Sequence, residues 1–211
     1  MTMARRRVAL GLLAAALVAL SALVATVVPT NRASAAGTDL PPSTLDALQR
    51  RFDPQVEALG LRVTRAMLQN LQTYEQDPEG THLALYVEPI KPGYTNAQYL
   101  KNFTKLTHLL VPAVFERWKG LESFDICQEP VDDPRAVPPP VTQIFVERDS
   151  LDRVSGWRRA NLTQLLAASP RVRSIAAGYY VYFAPDLRDE PLFVDAAAKA
   201  GWTTASTAFG H

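Results

Sequence analysis

Residues 82–89, HLALYVEP, place Leu83, Leu85 and Val87 in alternation with Ala84, Tyr86 and Glu88. A period of two predicts a strand with one buried face. Thr95 and Gln98 then have capping-box spacing and open a helix. Tyr99, Leu100, Phe103, Leu106, Leu110, Val114 and Trp118 fall on one side of it, and Gly120 closes it. Pro112 lies inside the pattern and predicts a kink or a split, because it removes a backbone donor and crowds the preceding turn. Residues 121–127, LESFDIC, and 141–148, VTQIFVER, are two more strands, the latter with Thr142, Ile144 and Val146 on one face. Residues 178–185, GYYVYFAP, are a fourth.

Helices fill the remaining patterned segments. Ser155 is placed to cap one running through Ala168 that buries Leu162, Leu165 and Leu166, and Glu190-Pro191 starts a last one that Gly201 stops. Near the other end, Asp53-Pro54 has the form of an N-cap followed by proline at the first helical position. Val56, Leu59, Val63, Met67 and Leu71 recur behind it at three- and four-residue spacing, predicting a helix over 54–74 that ends by the turn cluster EQDPEG. A shorter helical turn from Thr44 to Arg51 precedes it. Thirteen residues, Gln128 to Pro140, hold five prolines and four charges and read as an exposed, extended loop.

Residues 82–185 thus read β-α-β-β-α-β. The expectation is an α+β domain with a ferredoxin-like βαββαβ core, an antiparallel four-stranded sheet with two helices on one face, and additional N- and C-terminal helices on the other face or an edge. A cystatin-like α+β fold, a long helix wrapped by an antiparallel sheet, is the alternative.

The amino terminus has a different grammar. Arg5, Arg6 and Arg7 precede an uncharged apolar run from Val8 to Val28, followed by Pro29 and the small residues Ala33-Ser34-Ala35. Basic, apolar, then A-x-A is the layout of a secretory signal peptide cleaved after Ala35. The run is 21 residues long, close to the ~20 that span a bilayer, so an uncleaved membrane anchor is the alternative. Either way the arginines hold the leading end in the cytoplasm and the rest lies outside. The expected organisation is a signal peptide or anchor over 1–35, a linker over 36–42 and one extracytoplasmic domain over 43–211.

Charge narrows the partners. Residues 1–35 hold four arginines and no acid, so the remainder carries 18 basic against 21 acidic residues, a net charge of −3. Nucleic-acid binding needs a basic footprint and is not expected; contact with a membrane is expected only through residues 8–28, if they stay attached. Arginine outnumbers lysine 17 to 5 in an Ala-, Val-, Leu- and Pro-rich chain, the bias of a GC-rich bacterial genome.

Candidate chemistry is sparse. The single cysteine, Cys127, follows Phe124 and Ile126 in a strand and reads as a buried small apolar residue. Intermolecular pairing and catalysis with His108 as its base are the alternatives, the second without a supporting local signature. No internal disulfide can form, and one cysteine with scattered His82, His108 and His211 offers no zinc-ligand spacing. The acids Glu129, Asp132 and Asp133 lack calcium-loop spacing, and neither a G-x-S-x-G turn nor a glycine-rich phosphate loop is present. No metal or cofactor is expected.

Two binding surfaces remain. Arg158 and Arg159 belong to a cluster with Arg148, Arg153, Arg171 and Arg173, suited to an anion, although interleaved Asp149 and Asp152 also make it a salt-bridged surface. Tyr180 and Tyr182, beside Tyr179 and Phe183, give the last strand aromatics on both faces, which suits either packing or recognition. The reading is an exported, non-catalytic binding module for an envelope protein or cell-wall component, acting through its sheet face or its Pro-rich loop. The alternatives are a secreted hydrolase using Cys127 and His108, or unpaired acids, and a membrane-tethered accessory subunit of an envelope complex.

Overall fold

The computed structural model describes residues 40–202 apart from 132, 134, 136, 137 and 172. The segments proposed for export or anchoring, with most of the linker and His211, lie outside the described residues. Among the described residues no helix is long and apolar enough to cross a membrane.

Five strands hydrogen-bond in chain order. β1 (Leu61–Gln69) pairs antiparallel with β2 (His82–Pro89), and β2 pairs parallel with β3 (Ser123–Gln128). β4 (Thr142–Glu147) and β5 (Tyr179–Phe183) then add antiparallel pairs. A parallel pair needs a long crossover, and α2 (Asn96–Arg117) provides it. Its start is the expected capping box: Gln98 N–H donates to Thr95 Oγ1, and Thr95 N–H to Gln98 Oε1. Pro112 does not split it. Buried residues of the turns on either side, Leu106, Leu110, Val111, Val114 and Phe115, hold the helix through the missing bond.

Strand alternation decides what each face carries. Leu83, Leu85 and Val87, Phe124 and Ile126, Ile144 and Val146, and Tyr179, Val181 and Phe183 share one core. It is covered by α1 (Leu45–Glu57), α2, α3 (Leu162–Ala168) and α4 (Pro191–Lys199), through side chains such as Phe52, Phe103, Leu165 and Phe193. The architecture is α+β, helices over one face of a mixed sheet.

Three expectations are corrected. The helix expected over 54–74 is replaced by α1, which contains Asp53 and Pro54, and by strand β1. Gly60, at φ +76°, breaks the chain between them, a left-handed turn that favours glycine. A bulge at Val63/Arg65 shifts the register of β1, so its buried residues run Leu61, Val63, Ala66, Leu68. Met67 and Leu71, which the helical spacing set on one stripe with Val63, fall outside this buried set.

The sheet order also differs from the ferredoxin-like plan, and its parallel pair from an antiparallel cystatin-like one. β2 and β3 pair directly with no strand between them, and β1 takes the other side of β2, where the last strand of a split βαβ unit would dock. Third, the outer helices join the same core as α2 and α3 instead of covering the opposite face. Phe52 of α1 packs edge-on against Trp118, and Phe193 of α4 against Phe183. Around α3, the segment before Asn161 forms short 3-10 turns, and the cap is Asn161 with Gln164.

Candidate functional site

The face away from the helices is built from the alternate residue of every strand: Arg65 and Gln69, His82 and Tyr86, Ser123, Asp125 and Cys127, Gln143 and Phe145, Tyr180 and Tyr182. Two flanking segments rise beside it. The turn after β1 places Tyr74 there at φ +58°, a left-handed conformation costly for a bulky residue. The segment before β5 contributes Arg173 and Ile175.

Together these enclose a cleft of ≈ 350 Å³, lined from the sheet by Gln69, Tyr86, Asp125, Gln143, Phe145 and Tyr180, and from the flanks by Tyr74, Arg173 and Ile175. Phe145 and Tyr180 stack nearly parallel, with centroids 5.3 Å apart. The Arg173 guanidinium stands over Tyr180 and Tyr182, 5.6 and 5.5 Å from their ring centres. That of Arg65 lies 3.9 Å above Tyr86 while pairing with Glu129.

Asp125 sits in the middle strand of this face and is only 7% exposed. Its Oδ2 accepts from Gln143 Nε2 at 2.8 Å, and Gln143 Oε1 accepts from Arg173 Nη2 at 2.6 Å. Its Oδ1 is buried without a hydrogen-bond partner. Burial pushes this carboxyl up to about 7, against the lowering effects of the Gln143 bond and the Arg173 charge. Burial likewise pushes His82 down to about 4 and raises Tyr86, Tyr180 and Cys127 above their ordinary values.

Ser123, His82 and Asp125 have the composition of a catalytic triad but not its geometry. Ser123 Oγ lies 2.9 Å from His82 Nδ1, while His82 Nε2 is 3.9 Å from Asp125 Oδ2, beyond hydrogen-bond reach. Ser123 is 0% exposed, so no acyl group reaches its hydroxyl. The trio packs the sheet.

The sequence-derived candidates are distributed over both faces. Cys127 lies beside Asp125 on the open face, 1% exposed, its thiol raised well above the ordinary range by burial and by the neighbouring Asp125 charge. His108 belongs to α2 on the opposite face, where its Nε2 bonds the carbonyl of Ala160. The structure does not bring the two together. Arg158 and Arg159 are exposed in a short turn against α2, and Arg158 pairs with Glu116 at 2.9 Å. They stand apart from Tyr180 and Tyr182, which do lie on the open face. Arg148 turns inward and donates to the carbonyls of Leu121, Phe115 and Trp118.

Asp125, Gln143, Tyr86 and Tyr74 escaped the sequence reading, and Arg173 was one of six clustered arginines. A signal was available. In SFDIC the apolar residues Phe124 and Ile126 alternate with Ser123, Asp125 and Cys127, so a strand with one buried apolar face puts a carboxyl on the other. Among the described residues no group of three His, Cys, Asp or Glu side chains converges to hold a metal ion. No family model matches the chain, and no curated protein or solved structure is detectably similar to it.

Proposed function

We propose that the protein is an exported, non-catalytic binding module that takes a small ligand in the cleft on its open sheet face. One observation carries the reading: Asp125, a carboxyl only 7% exposed whose Oδ1 has no hydrogen-bond partner, lines a cleft whose walls include the rings of Tyr74, Tyr86, Phe145 and Tyr180. An unpaired buried acceptor costs about 1–3 kcal/mol. A ligand that donates to it recovers that cost, and native proteins retain few such groups without a use. The strained φ of Tyr74 at the cleft wall supports the same site, since such conformations gather at ligand clamps. Export follows from the order of basic, apolar and A-x-A residues at the start of the chain. An envelope or cell-wall component is then the expected source of the ligand.

Amide chemical shifts of the exported protein, followed while a small-molecule extract of the cell envelope is added, test the site. The expected response clusters at residues 69–74, 82–86, 123–127, 143–145 and 173–180. A response confined to the Pro-rich loop 128–140, or none at all, overturns the cleft as the binding site.

A further inference from the structure

The open face carries several charges, and most are already matched. Arg62 pairs with Glu88, and Arg65 with Glu129. Two groups at the cleft are not matched this way. Arg173 is exposed, is held over the rings of Tyr180 and Tyr182, and forms no ion pair among the described residues. Asp125 has one oxygen without a partner.

The side chain of Gln143 joins these two groups. Its Nε2 donates to Asp125 and its Oε1 accepts from Arg173. A single carboxamide spans the gap, so Asp125 Oδ2 and Arg173 Nη2 are at most about 8 Å apart. The carboxamide also shows the polarity the site recognises, a donor toward the acid and an acceptor toward the guanidinium. A ligand lying alongside Gln143 meets the same two groups at the same spacing. An ammonium and a carboxylate on one carbon, each reached by a hydrogen bond of about 2.8 Å, fit that span.

We infer that the ligand is a compact zwitterion, an α-amino acid or a molecule with the same amine-to-carboxylate spacing. Its ammonium donates to Asp125 and its carboxylate accepts from Arg173. This rests on the cleft being the ligand site. A neutral sugar would satisfy the hydrogen bonds but would bring no charge to the buried carboxyl or to the exposed guanidinium. A simple amine meets Asp125 but adds a second cation beside Arg173, and a simple acid does the reverse. The rings of Tyr86, Phe145 and Tyr180 offer apolar walls for the ligand's side chain and aromatic faces for its ammonium. At ≈ 350 Å³ the cleft suits a molecule of this size.

The test is a titration of the exported protein, read by amide chemical shifts, with a set of α-amino acids from glycine to tryptophan. Their α-amides, the matching deaminated acids and glucose complete the panel. At least one amino acid is expected to shift Asp125, Gln143 and Tyr180, and to bind about tenfold or more tightly than its amide or its deaminated form. Arg173→Gln is expected to erase the advantage over the amide, and Asp125→Asn the advantage over the deaminated acid. Equal binding of amino acid and amide, or of amino acid and deaminated acid, overturns the zwitterion. So does a response to glucose alone, and in these cases the cleft still stands as a ligand site. If no member of the panel moves any resonance on the open face, the zwitterion falls, and the cleft stands or falls by its response to the envelope extract.

Discussion

Asp125 and His82 lie beneath the same sheet face, and both are driven toward their neutral forms by burial. Their effects on stability have opposite signs. The folded state holds the Asp125 proton up to about 7, while an unfolded aspartate loses it near ~3.9. Asp125 therefore contributes stability in acid that is lost as the pH rises from ~4 to ~7. Folded His82 stays neutral down to about 4, while an unfolded histidine takes a proton below ~6.5, so its contribution grows as the pH rises over nearly the same window. One proton resides on the pair in both states, and the two slopes cancel. Substitution separates them. Relative to the wild type, Asp125→Asn is expected to gain stability from pH ~4 to ~7, and His82→Gln to lose it from ~4 to ~6.5, each by up to about 1.4 kcal/mol per pH unit. Urea denaturation across that range measures both. Two variants that track the wild type in parallel would show that neither group is held neutral. None of this was legible in the sequence, where an aspartate in a strand gives no sign of what covers it.

Helix ends and strand starts are also fixed by side chains that arrive from elsewhere in the chain. The C-terminal end of α2 has few capping groups of its own, and Arg148, from the chain beyond β4, supplies them. Its Nε donates to Leu121 O at 2.8 Å, its Nη1 to Phe115 O at 3.2 Å and its Nη2 to Trp118 O at 2.6 Å. Its guanidinium also lies 5.0 Å from the centre of the Phe115 ring. Arg148→Met is expected to cost about 2–3 kcal/mol, read as a lower urea midpoint at unchanged slope. Arg148→Lys should recover less than half of it, because an ammonium cannot reproduce the fork. Full rescue by lysine would mean that charge alone matters. At this scale the sequence was informative where contacts are local. The Thr95–Gln98 box, the stop at Gly201 and four of the strands could be read directly. It misled where one distant bond decides: Val63 N–H, at the bulge of β1, donates to Asp53 Oδ1 at 3.0 Å. Asp53 thus tethers a strand from inside a helix, whereas its pairing with Pro54 suggested a helix start.

Strand order is a property of the whole molecule, and no periodicity encodes it. β3 is the middle strand of five, flanked by β2 and β4, so freeing it from the sheet means undoing pairs on both sides. Cys127 is 1% exposed in that strand, with a thiol held well above the ordinary range. Its reaction with a small thiol reagent is therefore expected to report global unfolding. If opening is global, the logarithm of the labelling rate should rise with urea at the slope of the equilibrium unfolding curve, because reagent meets thiol only in the fully opened chain. A rate independent of urea would instead mean that the sheet face opens locally beneath the cleft. A saturating ligand separates the two cases further. Bound beside Asp125, it stabilises the folded state by mass action and should slow global labelling by the factor one plus its concentration over its Kd. Local opening that leaves the ligand in place escapes that factor.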